Sequence, residues 1–108
     1  MSFLSRLAGF FARGERSNAR LLQGIEHAKA GRPEKALSIY NSLLESCSTG
    51  SVTRARAYFN RALAYSALKD DGKAVTDLQA VLAIVGLPEN VQSAATAQLA
   101  RVKRRSER

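Results

Sequence analysis

Two apolar stripes of helical period are separated by Gly31-Arg32-Pro33, and this break constrains the chain more than any other feature. Gly31 suits the left-handed position that follows a helix C-terminus. Pro33 suits the first turn of the next helix, where its missing N–H costs nothing. Ala36, Leu37, Ile39, Tyr40, Leu43 and Leu44 then predict a helix from Pro33 to about Ser46, with one face buried. Upstream, Leu21, Leu22, Ile25 and Ala28 predict a helix from about Asn18 to Ala30. Gly24 lies in its middle. A mid-helix glycine costs roughly 1 kcal/mol against alanine, so a second helix backbone is expected to approach there.

The rest of the chain carries the same period. Residues 46–52 form a turn-rich loop. A third helix is expected from about Val52 to Leu68, through Ala55, Tyr58, Phe59, Ala62, Leu63 and Tyr65. Asp70 or Asp71 would cap a fourth, from about Gly72 to Val85. Gly86-Leu87-Pro88 breaks it, and a last helix runs from Pro88 to Lys103 or beyond. Near the N-terminus, Phe3, Leu4, Leu7, Phe10 and Phe11 form a stripe on a short amphipathic helix over residues 2–12. Residues 14–19 read as a linker, with Ser17 or Asn18 capping the helix after it. Alanine and leucine are abundant while Pro and Gly are few and sit at the breaks, and the expected fold class is all-α.

The two hairpins align with a constant offset of 38 residues. Gly24, Gly31, Ala36, Tyr40 and Leu43 match Ala62, Lys69, Ala74, Leu78 and Val81. Small residues recur at the first and third pairs, apolar ones at the last two. This pattern resembles the tetratricopeptide repeat (TPR), a 34-residue helix–turn–helix with small residues where helices cross. The resemblance implies two TPR-like antiparallel hairpins at about 17–50 and 55–88. It implies a capping helix at 89–104, closing a domain over 17–104, with residues 1–13 as a separate amphipathic segment and 105–108 as a basic tail. The four extra residues of the period are expected in the loop at 47–51. Tyr58, Tyr65 and Tyr40 match aromatic positions of the family. His27 stands where the family has Tyr, neither repeat ends in the usual proline, and two repeats are fewer than the ~3 that stacked folds usually need. An unrelated antiparallel bundle is the alternative.

The net charge of +8 is concentrated at the two ends of the chain. Residues 1–20 carry four arginines against Glu15, and residues 101–108 carry five basic side chains against Glu107. The intervening eighty residues have eight basic and seven acidic side chains. A nucleic-acid-binding domain more often places its excess on the folded face, which argues against nucleic acid as the partner. RNA binding by the basic ends is the weakest reading, because exposed aromatics for base stacking are missing. The lone Cys47 permits no intrachain disulfide, in keeping with a reducing compartment. No apolar run is long enough to span a membrane, and the N-terminus fits a secretory signal poorly. The expected location is cytoplasmic, or peripheral to a membrane.

No catalytic set, phosphate loop or metal spacing is evident, so an enzyme is not expected and no cofactor is implied. His27 reads as a part-buried packing residue. The resemblance instead implies a groove on the first helix of each hairpin, where a peptide or helix would dock. Its residues would be Asn18, Leu21, Ile25 and Ala28, then Arg56, Phe59, Asn60, Leu63 and Ser66. Leu21 and Ile25 stand where carboxylate-clamp members have Lys and Asn, so only Asn60 fits that clamp. The groove is therefore apolar, although Leu21, Ile25, Phe59 and Leu63 could equally be core. The N-terminal stripe, with Arg6 and Arg13, has three readings. It packs on the domain, docks on another protein, or lies on an anionic membrane. The leading expectation is a non-enzymatic protein-binding scaffold or adaptor of unassigned oligomeric state, and the second is a peripheral membrane adaptor.

Overall fold

The computed structural model describes the backbone of residues 3–107 and the side chains of residues 14–107. Five α-helices and no strand occur among the described residues: α1 (Phe3–Lys29), α2 (Pro33–Glu45), α3 (Ser51–Ala67), α4 (Asp71–Ala83) and α5 (Glu89–Ser106).

The helix ends repeat with the offset of the sequence. At the end of α1, the Gly31 N–H donates to the Ala28 carbonyl and the Arg32 N–H to that of His27. At the end of α3, the Lys69 N–H donates to Ser66 and the Asp70 N–H to Tyr65. Both are the paired hydrogen bonds of a Schellman cap, closed by a residue of positive φ. Gly31 has φ 78° and Lys69 has φ 64°. Each following helix is 13 residues long. The Asp70 carboxylate caps α4 by accepting from the Lys73 N–H at 3.2 Å. The helices α2 and α4 then end in matched extended residues, Ser46 and Ile84, whose N–H groups return to Leu43 and Val81.

This regularity changes two expectations. The connections at 46–50 and 84–88 are equally long. The 38-residue period is thus a property of the whole unit, and no four-residue insertion sits in the loop at 47–51. The helix α5 also begins 38 residues after α3, so it continues the period as well as closing the fold. Ala95, the counterpart of Ala57, is fully buried like it.

The expected linker at 14–19 is helical, and α1 crosses it without a break. A single Gly14 costs only about 1 kcal/mol, and Glu15, Arg16, Ala19 and Arg20 all favour helix. Asn18 caps nothing; its Oδ1 accepts from the Thr53 hydroxyl of α3 at 3.0 Å. The N-terminal stripe of Phe3, Leu4, Leu7, Phe10 and Phe11, with Arg6 and Arg13, lies outside the residues whose side chains are described.

The helices form two layers. The helix α3 touches both α1 and α5, whereas α2 and α4 do not approach one another. The inner layer is therefore α1, α3 and α5, and the outer layer is α2 and α4. Two cores lie between them. The first gathers Leu21, Ala36, Tyr40, Leu43, Ala57 and Ala64. The second gathers Ala55, Ala62, Ala74, Leu78, Val81, Leu87, Ala95 and Val102. The helix α3 supplies both, through Ala57 and Ala64 on one side and Ala55 and Ala62 on the other. Each pair is seven residues apart, two turns, so its members share a face. Alanine at these places lets α3 lie close to neighbours on two sides.

Polar ties join the units. Arg61 of α3 donates through Nε and one Nη to both oxygens of Asp77, at 2.8 and 2.7 Å. Its other Nη donates to Asn41 Oδ1 of α2 at 2.9 Å. The guanidinium also lies 5.5 Å from the Tyr58 ring and 5.7 Å from that of Tyr65, within cation–π range. Arg54 donates to the Leu44 and Ser46 carbonyls and so caps the C-terminus of α2. Arg105 binds Asp71 and the Ser66 hydroxyl, holding the end of α5 against α3 and α4. The expected tail at 105–108 thus begins with an anchored residue, and α5 runs to Ser106.

Candidate functional site

Among the described residues the inner layer presents a recess on each side of α3. The larger is about 520 Å³ and opens between the C-terminal half of α1, the turn at Gly31 and Pro33, and α3. Its walls are Ile25, Ala28 and Lys29 with Asn60, Leu63, Ala64 and Ala67. The smaller, about 200 Å³, lies between α3 and α5 and is lined by Arg56, Phe59, Asn90, Val91 and Ala94. The two share one face of α3. At 100° per residue, positions 56, 59, 60, 63, 64 and 67 fall within an arc of about 140°.

Six of the nine expected groove residues meet here. Ile25, Ala28, Asn60 and Leu63 line the larger recess, and Arg56 and Phe59 the smaller. Leu63 is 37% exposed, a large apolar side chain left open in the middle of the face. Phe59 is only half open, because its ring also packs against the second core. The other three line neither recess: Asn18 is exposed and bonded to Thr53. Leu21 is 4% exposed and packs in the first core, facing α2. Ser66 is buried, and its hydroxyl accepts from Arg105. Residues that sequence periodicity missed include Lys29, Ala64 and Ala67 in the larger recess, and Asn90, Val91 and Ala94 in the smaller. Of the last three the period signalled only Ala94, the counterpart 38 residues on of Arg56.

The chemistry of the face is apolar with a few donors. Asn60 Nδ2 donates to the Arg56 carbonyl at 2.8 Å, which holds the amide flat on α3 and leaves its oxygen open. The guanidinium of Arg56 and the ammonium of Lys29 are exposed, and neither enters an ion pair among the described residues. His27 is half-buried outside the recess, and its Nδ1 accepts from Arg32 Nε at 2.9 Å. Among the described residues no three His, Cys, Asp or Glu side chains gather in a group able to hold a metal ion. No described helix is long and apolar enough to cross a membrane. A scan against protein-family models and searches of curated proteins and of solved structures found no match to this chain.

Proposed function

We propose that this chain is a non-enzymatic protein-binding module of tetratricopeptide-repeat type that holds a peptide or helix on its inner layer. The observation that carries this reading is the recess of about 520 Å³ between α1 and α3, apolar along most of its wall, with Leu63 exposed at its rim. A folded chain gains about 25 cal/mol for each Å² of apolar surface it removes from water, so a side chain left open on a concave face favours an occupant. The matched caps, the 38-residue period and the separation into inner and outer helices support the repeat assignment.

Affinity capture with the full chain, followed by mass spectrometry, identifies partners. The discriminating comparison is with Leu63→Asp and Ala28→Glu. Ala28 is exposed, so Ala28→Glu should keep wild-type stability to within about 0.5 kcal/mol. Leu63 is only 37% exposed and Leu63→Asp should cost about 1–2 kcal/mol, so its helical fold is checked by circular dichroism. Partners held in the recess are lost from both variants. Partners retained by both would assign binding to another surface and end this reading.

A further inference from the structure

The proposed recess is silent about which peptides it prefers, but its charged neighbours are not. Cations of all three inner helices bear on this face: Lys29 of α1 in the wall of the larger recess, Arg56 of α3 in the smaller, and Arg101 of α5. Arg101 lies seven residues beyond Ala94, on the same side of α5. Lys29 and Arg56 form no ion pair among the described residues, and Arg101 donates only to the neutral Gln98. No carboxylate stands among the residues lining either recess. Elsewhere on the described chain Arg61, Lys73 and Arg105 are each matched with an aspartate, while exposed cations such as Lys35, Lys69 and Lys103 enter no ion pair among the described residues. What distinguishes Lys29 and Arg56 is their place, in the walls of apolar recesses that no carboxylate lines.

Resting on the reading of this face as a peptide groove, we propose that its partner is an acidic protein segment. Two bulky apolar side chains would enter the recesses on either side of Leu63, and carboxylates beside them would meet Lys29, Arg56 and Arg101. Charge complementarity of this kind governs partner choice and encounter rate more than total affinity. It also disfavours two occupants closer to hand. The N-terminal stripe carries Arg6 and Arg13, and a second copy of the chain brings the same excess of +8.

The test uses the full chain and short fluorescein-labelled peptides read by anisotropy. One peptide has Leu and Phe anchors among glutamates and aspartates, a second has lysines in place of every acid, and a third keeps the acids but has serine for the anchors. The acidic, anchored peptide should bind at least about tenfold more tightly than the basic one at physiological ionic strength, with the gap widening as salt is lowered. The serine peptide should lose most of the affinity. The double reversal Lys29→Glu with Arg56→Glu, at two exposed positions, should invert the preference. Equal binding of acidic and basic peptides, abolished by Leu63→Asp, would overturn the charge preference and leave the groove in place. Binding indifferent to Leu63→Asp, or no binding of any peptide, would overturn both. Phosphatidylserine vesicles that displace the acidic peptide, and lose this ability in the double reversal, would give the face to a membrane and overturn the proposal as well.

Discussion

The ring of Tyr40 lies directly over Gly24, so close that a Cβ built at position 24 would stand 2.5 Å from Tyr40 Cε1. What approaches α1 at its glycine is therefore a side chain of α2, where a helix backbone was expected. One unit pairs no side chain with a large ring, and the other pairs Ala62 with Leu78 at the matching positions. Gly24→Ala would gain about 1 kcal/mol of helix propensity. Against this, the Tyr40 ring is fully buried and has nowhere to go, and overpacking of such a site costs about 1–3 kcal/mol. The net effect expected from urea unfolding is a loss of up to about 2 kcal/mol. In a Tyr40→Leu background, which copies the second unit, the same substitution should be neutral or stabilising. A cycle without coupling of at least about 1 kcal/mol would show that the two residues are not a packed pair.

The Tyr40 hydroxyl is buried and has no hydrogen-bond partner among the described residues. Burial raises its pKa from 10.0 to about 12. Below the unfolded value near 10, folded and unfolded chains are both neutral here and stability does not depend on this group. As pH rises from about 10 to 12 the unfolded chain ionises first, and the folded state should lose up to about 2–3 kcal/mol. Tyr40→Phe removes both the stranded hydroxyl and the titration. It should be at least as stable as wild type at neutral pH, by about 1 kcal/mol, and flatter in stability between pH 10 and 12. Thermal scans of both proteins across that range give the comparison. An alkaline limb of the same slope in both would place the titration elsewhere.

The period was legible because Gly31, Pro33, Ala36 and Ala74 each answer a local backbone or packing demand that only a few residue types meet. Its second copy was fainter, since Lys69 is a poor advertisement for a left-handed residue. The continuity of α1 was hidden by Gly14, Ser17 and Asn18, all of which favour helix ends. The groove was half legible. Leu21 and Leu63 share the same apolar period in their helices, but Leu21 turns toward Tyr40 and α2 while Leu63 stands between two inner helices. Periodicity measures angle around a helix and says nothing of what lies opposite. The Arg61–Asp77–Asn41 tie joins three helices, and no local pattern announces it.

Asp77 is held on both oxygens by Arg61, and its side chain is only 4% exposed. Removing the guanidinium strands a buried carboxylate, which typically costs about 3–5 kcal/mol. Arg61→Ala should therefore be among the most damaging single changes in the chain, although Arg61 itself is partly open. Replacing both partners by apolar residues, Arg61→Met with Asp77→Leu, removes the stranded charge. The double variant should recover most of the loss, measured by chemical unfolding. A double variant as unstable as Arg61→Ala would show that the contacts of the guanidinium with the Tyr58 and Tyr65 rings and with Asn41, and not the pairing of Asp77, carry the stability.

Lys69 holds the position of Gly31 in the second unit, with φ 64° against 78°. A side chain in this conformation costs roughly 1–2 kcal/mol for the crowding of its Cβ, while glycine costs part of that back as extra freedom of the unfolded chain. Lys69 is exposed and its side chain holds no partner among the described residues, so its removal forfeits no contact. Lys69→Gly should stabilise by about 0.5–1 kcal/mol. For a chain of this size that corresponds to a rise in Tm of several degrees, at about 4–8 °C per kcal/mol. Gly31→Ala should move Tm the other way by a similar amount, because it imposes on the first cap the crowding that the second already bears. Differential scanning calorimetry of the pair distinguishes the outcomes. If both substitutions shift Tm in the same direction, the two turns are not equivalent caps and the structural repeat fails at its most regular point.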